Sequence, residues 1–255
     1  MAVVWGSVGL LGPIAVLTSY QNQDIGQQLL RATQAFFEEN KVTLQGVVTF
    51  PGSAKHLLFY QKFGYKPKGL LVISSKPLDR REMAATAKPS KPSLEVRRFS
   101  DLEESKKKAT MQRFRRITNQ IYRGMDIGKE VEIVDGLALG DTLLLEKGRE
   151  LFGFAIYHTP GVSEAPQGAL YLKFLILDSR RKRPEHFHLL MAALEELAHT
   201  AGLGRVIAPV YTYYWQAYQG LLDRGYQIDL ALTRMKRGKQ EEYEDPSDWV
   251  LDDWR

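Results

Sequence analysis

Apolar positions along the chain fall into short runs broken by glycine, proline and polar clusters, and their spacing predicts strands alternating with helices. Met1 to Leu17 carry no charge and are interrupted by Gly6, Gly9, Gly12 and Pro13. They read as one or two buried strands, with the run from Gly12 to Leu17 as a buried strand. A polar turn, Tyr20 to Asp24, leads into Gln27 to Asn40, where Leu29, Leu30, Ala32, Ala35, Phe36 and Phe37 give a helical pattern. Leu44 to Phe50 is β-rich, Pro51-Gly52 breaks it, and Ser53 caps a short helix that runs to Phe63 and ends at Gly64. Leu70 to Ile73 is a further strand. The order β, loop, α, β, α, β requires at least one parallel crossover.

Ser74 to Ser93 holds three prolines, small residues and exposed charge, the composition of a linker. Beyond it Leu94 to Phe99 reads as a strand, and Ser100 as the cap of a long basic helix reaching about Arg123. Two hairpin strands follow, near Asp141 to Glu146 and Leu151 to His158. The first half's order then returns: strand Leu170 to Leu177, helix Glu185 to Ala201, strand Arg205 to Val210, helix Tyr213 to Arg224 stopped by Gly225, and strand Gln227 to Met235. The halves form a divergent internal repeat whose first copy lacks the earlier helices and hairpin. The division this predicts is a partial unit over 1–76, a linker over 77–93, a complete unit over 94–238 and an acidic tail over 239–255.

Composition narrows the chemistry. There is no cysteine among 255 residues, which excludes disulfides and a thiol nucleophile and fits a reducing, cytoplasmic setting. No apolar run is long enough to span a bilayer. The net charge of +5 is uneven: residues 1–76 hold seven Lys/Arg against three Asp/Glu, and Lys239 to Arg255 hold two against seven. A basic body admits nucleic acid, but the aromatics are not interleaved with the basic residues as a stacking platform needs, and a pocket for a phosphorylated ligand explains the charge better.

The segment from Gly12 to Leu30 carries the most chemistry. It is a strand that passes through the turn Gln21-Asn22-Gln23-Asp24 into a helix with Ile25, Gly26 and Gln27 at its mouth. Unpaired amides and the partial positive charge of a helix N-terminus make an anion site, and a residue without a side chain lets phosphate approach. The same glycine also suits an ordinary turn that needs a positive φ. Gln21, Ile25, Gly26 and the following Leu29-Leu30 resemble the pyrophosphate motif Gln/Arg-x-x-Gly-x-Gly/Ala of the GNAT superfamily of acyl-CoA N-acyltransferases. Asp24 stands where the family has its middle glycine, and a carboxylate beside pyrophosphate costs on the order of a kcal/mol unless it points away. Tyr60-Gln61-Lys62-Phe63-Gly64-Tyr65 is similar to the family's second signature, in which a tyrosine protonates the departing CoA thiolate. A phenol with a pKa near 10 remains a proton donor at neutral pH. The alternative is a half-buried aromatic packed with Phe59 and Phe63. His56, one turn earlier, reads as surface or pocket wall.

The second half keeps the element order but not the motifs. Aligning Leu189-Leu190 with Leu29-Leu30 puts Arg181 at the Gln/Arg position and Pro184 and His186 at the small-residue positions, which damages the phosphate cradle. The basic run from Arg180 to Arg183 either holds phosphate by charge or is a solvated loop. Four residues before Gly225 stands Leu221, where the signature wants tyrosine. His186 and His188, two apart on a helix, diverge and do not share a metal. The tail's Trp249 and Trp254, among acids, dock on the body or on a partner.

The resemblance implies an α/β (α+β) fold: tandem GNAT-like mixed sheets, each with a central parallel strand pair flanked by helices. It implies acyl transfer from acetyl-CoA or another acyl-CoA, without a metal, to a small-molecule or peptide amine. Tyr60 is then the acid. Ile14, Ala15, Val16, Leu17, Gln21, Asn22, Gln23, Asp24, Ile25, Gly26, Gln27, Ser53 and Lys55 are the cofactor contacts, and no general base is evident. The alternative is a non-catalytic module that binds CoA or a protein partner. A first unit starting at the fourth family strand cannot close its sheet. Either coding sequence lies upstream, or the second unit or another subunit, as in a homodimer, completes it.

Overall fold

The computed structural model describes residues 1–78, 94–238 and 245–254. Its strands, in chain order, are β1 (Ala2–Trp5), β2 (Val8–Leu11), β3 (Leu44–Thr49), β4 (Lys66–Pro77), β5 (Glu95–Arg98), β6 (Gly140–Lys147), β7 (Glu150–His158), β8 (Ala169–Leu177), β9 (Arg205–Tyr211), β10 (Gln227–Gly238) and β11 (Val250–Asp252). The helices are α1 (Ile25–Glu39), α2 (Ala54–Lys62), α3 (Glu104–Ile121), α4 (Gly128–Gly136), α5 (Pro184–Thr200) and α6 (Trp215–Asp223). This is a mixed α/β fold with helices flanking the sheet, as the resemblance implies.

Ten strands form one path, β1-β2-β3-β10-β4-β9-β8-β7-β6-β5, with β11 joined to β8 off that path. Two pairs run parallel, β2 with β3 and β8 with β9. Each parallel pair has a crossover helix, α1 or α5, as a parallel connection requires. The closing strands of the halves are exchanged. β10 pairs with β3 of the first half, β4 pairs with β9 of the second, and β10 and β4 pair with each other down the middle. A strand of the second half thus stands beside β3, in the place an unexchanged repeat would give to β4. The main core follows this continuity, running without a break from Trp5, Val8 and Leu10 to Phe154, Leu172 and Leu194.

Several local expectations shift. The first buried strand is Val8–Leu11, and the run from Gly12 onward leaves the sheet as an extended loop with Leu17 mostly exposed. Pro13 has no amide to give a ladder, so the strand ends just before it. Ser100 caps no helix: its amide and hydroxyl bind Asp141, and α3 begins at Glu104. Helix α4 has no counterpart in the sequence reading, because Val131, Ile133 and Val134 between charged neighbours alternate as a strand would. Of the stretch from Ser74 to Ser93 read as a linker, Ser74 to Pro77 belong instead to β4, where they pair with β9, and residues 79–93 lie outside the described residues.

Candidate functional site

The β2–β3 pair stays in register from Val8 opposite Leu44 to Leu11 opposite Val47 and then parts, because the chain peels away at Gly12. A cavity of about 820 Å³ occupies the opening. One mouth is the turn and the start of α1, with Gln21, Asn22, Asp24, Ile25, Gly26 and Gln27 on its wall. Ile14, Val16, Lys55, His56 and Tyr60 also line it; Ala15, Leu17, Gln23 and Ser53 do not. Ser53 instead caps α2, accepting a hydrogen bond from the His56 amide at 3.4 Å.

The turn has a defined conformation. Positive φ falls at Asn22 (61°) and Asp24 (57°), not at Gly26. The conformational reading of Gly26 therefore drops out, whereas Asp24 holds a left-handed geometry that a glycine would adopt more freely. Its carboxylate accepts from the Gln27 side-chain amide, and it does not cap α1. The first-turn amides of α1 are left without a side-chain cap, the usual state of a helix N-terminus that receives an anion. Gln21 is tied back to the Val16 carbonyl at 3.1 Å, which folds the turn onto the loop before it. A side-chain carbon built on Gly26 would lie 3.8 Å from the Phe59 ring and 3.9 Å from Val16. Gly26 thus keeps open a space that a longer side chain would enter.

Tyr60 sits on α2, partly buried, with its ring edge-on to Phe59 at 5.3 Å and to Tyr65 at 6.1 Å. Burial pushes its pKa above the ordinary 10.0, so it stays protonated across the neutral range. Tyr65, buried behind it and donating to Gln45 at 3.1 Å, is pushed up to about 12, mainly by burial.

The cavity passes through the sheet. A side-chain carbon on Gly9 would meet Phe37 of α1, which marks the helix face. Gly46 pairs with Leu10, the next residue along β2 and hence on the opposite face, and a carbon there would meet Trp254 at 2.3 Å. Yet Trp254 lines the same cavity as Gly26 and Tyr60, together with Leu230 and Leu232 of β10. Sequence reasoning missed this far wall, since it comes from the exchanged strand and the tail. The only sequence signal was a tryptophan in an acidic segment with no assigned place.

The second half has the matching split, differently filled. β8 and β9 pair only from Ala169–Arg205 to Tyr171–Ile207. Beyond that β11 pairs antiparallel with β8, Val250 opposite Ile176 to Asp252 opposite Phe174, and packs beside β9. Lys182 of the basic run holds the tail's start, 2.6 Å from Asp248 and 3.4 Å from Asp245. Arg181 pairs with Glu150 at 2.9 Å. The tail therefore docks on the body. His186 lies edge-on to Phe152 and His188 faces Trp249, so the two rings diverge. Among the described residues no group of three or more His, Asp or Glu is gathered to hold a metal ion.

A mixed sheet whose central parallel strands part around a cleft, with a strand-turn-helix mouth, is the GNAT fold. The first part carries the sequence signature as well: residues 2–67 match the family model for the acetyltransferase (GNAT) domain. A protein of Pyrococcus horikoshii shares the fold over 99% of this chain and 73% of its own, with a TM-score of 0.66 at 14% identity. A GCN5-related N-acetyltransferase from Sphaerobacter thermophilus aligns over 90% of this chain and 71% of its own (TM-score 0.54, 10% identity). A tandem GNAT protein from the clavulanic acid biosynthesis pathway aligns over 91% and 75% (TM-score 0.56, 11% identity). No curated protein matches the chain by sequence. No described helix is long and apolar enough to cross a membrane.

Proposed function

We propose that the chain is a cytoplasmic N-acyltransferase that moves an acyl group, acetyl in the first instance, from acyl-CoA to a small-molecule or peptide amine. The observation that carries this reading is the cavity through the β2–β3 split, with an uncapped helix N-terminus at one mouth and Tyr60 on its wall. In this reading the pyrophosphate binds at residues 21–27 with Lys55 nearby, and the pantetheine follows Ile14 and Val16 into the split. The thioester then comes to rest inside the sheet. The catalytic unit is residues 1–76 completed by β10; residues 94–238 support it.

The amine nitrogen attacks the thioester carbon, the C–S bond breaks, and Tyr60 delivers a proton to the leaving sulfur. Most of the rate comes from holding the two reactants together in a site shielded from water. No side chain is assigned as base, so the amine must enter as its free base and lose its second proton to water after attack. Asp24, bridged to Gln27, takes its charge sideways and leaves the amides of α1 to the ligand.

The second reading, a module that binds CoA without turnover, is favoured by the departure at Asp24. The two separate in one assay. Free thiol released from acetyl-CoA over a panel of amines, and reduced about 10²-fold or more in Tyr60→Phe, supports the enzyme. Binding without release by any amine supports the module.

A further inference from the structure

Trp254 borders the far end of the cavity and nothing in the acyltransferase reading uses it. It arrives by a long route: Lys182 anchors Asp248, β11 lies in the β8–β9 split, and the chain then crosses to the first half. There the indole lies against Gly46, where any side chain would collide with ring carbons at 2.3 and 2.4 Å. The Arg234 guanidinium stacks over the ring at 4.1 Å, and the indole N–H donates to Asp252 at 2.7 Å. Asp252 is itself held by both terminal nitrogens of Arg234, at 2.6 and 3.1 Å.

Two facts define what the ring does to the cavity. It stands on the sheet face opposite α1, whereas the turn at 21–27 belongs to the α1 face; a ligand anchored at the turn and threaded through the split points its distal end at Trp254. The residue also has 0% exposed surface although it borders the cavity, so the space narrows below the width of a water molecule where it reaches the ring. Leu232, 5% exposed, continues this wall, and Leu230, 37% exposed, stands at its solvent edge.

We propose that Trp254 is the specificity-determining residue of the site: its indole, delivered by a tail that fills the second split, closes the acyl end of the cavity and restricts the donor to short acyl chains. The assignment rests on the acyltransferase reading and adds what that reading lacks, the limit on chain length. An apolar pocket discriminates about 10- to 200-fold for each methylene it accepts or refuses. Removing the indole therefore opens room for several carbons at once.

The test is a donor ladder from acetyl- to octanoyl-CoA, read by kcat/KM where turnover is found and by Kd for each donor. The full-length chain is compared with Trp254→Ala and Trp254→Phe. The expected result is preference for acetyl-CoA in the parent and in Trp254→Phe, with Trp254→Ala shifting the octanoyl-to-acetyl ratio at least tenfold toward octanoyl. A merely structural role would lower all donors alike and leave the ratio unchanged. That outcome, in a folded Trp254→Ala, overturns the assignment while leaving the acyltransferase reading intact. If Trp254→Ala does not fold, Leu230→Ala, on the partly exposed side of the same wall, must shift the ratio in the same direction, and an unshifted ratio there is equally fatal. A parent that binds no acyl-CoA overturns both readings.

Discussion

At the residue scale the site turns on three residues with different demands. Gly26 keeps a mouth open: the nearest atoms to an added carbon are 3.8 Å away, so glutamate fits sterically there and its charge suits the first turn of α1. Gly26→Glu should fold normally and still exclude an anionic ligand by bulk and charge, with a Kd for acetyl-CoA weakened by roughly 100-fold or more. Asp24 shows the reverse case. At φ 57° it pays for a conformation glycine adopts freely. Asp24→Gly should tighten acetyl-CoA binding several-fold, as titration of the variant would register. Tyr60 is held above its ordinary pKa by burial, so as an acid it remains competent up to a limit above the usual phenol range. The rate should then rise with pH as the amine deprotonates and fall only above that limit. A descending limb between pH 7 and 9 that Tyr60→Phe removes would contradict the role. The motifs at these residues were legible because each rests on local spacing: Gln21 to Gly26 in one turn, and Tyr60 to Gly64 at the end of one helix. Which residue of the turn bears the positive φ was not legible. Asn22 and Asp24 are residue types that tolerate the left-handed region, but the nearby Gly26, for which that region costs least, drew the reading instead.

At the scale of elements, most strands and helices followed from periodicity, and the misses share a cause. Val8–Leu11 rather than Gly12 to Leu17 forms the strand because hydrogen-bonded pairing with β3, not apolarity, decides where a strand lies, and the later apolar residues serve the cavity instead. Helix α4 was hidden by an alternation of valine and isoleucine with charge. The tail is the sharpest case. Its tryptophans read as docking on the body or on a partner without saying which; β11 is buried in the body, and Arg234 is fully buried against Asp252 between the rings of Tyr211 at 4.2 Å and Trp254 at 4.1 Å. Burial works against the Arg234 charge, but the facing carboxylate outweighs it and holds the guanidinium above its usual range. Such a pair is a poor source of net stability and a costly one to break, about 3–5 kcal/mol when one partner is removed. Asp252→Ala should lower the Tm by roughly ten degrees or more. The double variant Arg234→Met with Asp252→Leu should recover a large part of that loss. Calorimetric melting would decide, and a double variant no better than Asp252→Ala would show that packing rather than charge desolvation sets the cost.

At the scale of the whole molecule, the internal repeat was visible in the order of elements, but the exchange of β4 and β10 was not. Both strands follow their own helices in sequence as an unexchanged repeat would have it. Only the pairing partners differ, and these are fixed by contacts far apart in the chain. The exchange makes the two halves interdependent: β10 supplies Leu230 and Leu232 to the first cavity, and the tail that follows it fills the second split. The repeat therefore yields one open cleft and one closed by the chain itself, with Lys182 and the acidic tail meeting at the second half's counterpart of the turn at 21–27.

Whether a single acyl-CoA site lies in the first split is decided by calorimetric titration of acetyl-CoA into the full-length protein beside Gly26→Glu. The expected result is one acetyl-CoA per chain with an affinity near the micromolar range, about −8 kcal/mol, weakened roughly 100-fold or more in Gly26→Glu. Two molecules per chain, no heat at all, or binding that Gly26→Glu leaves unchanged would contradict it.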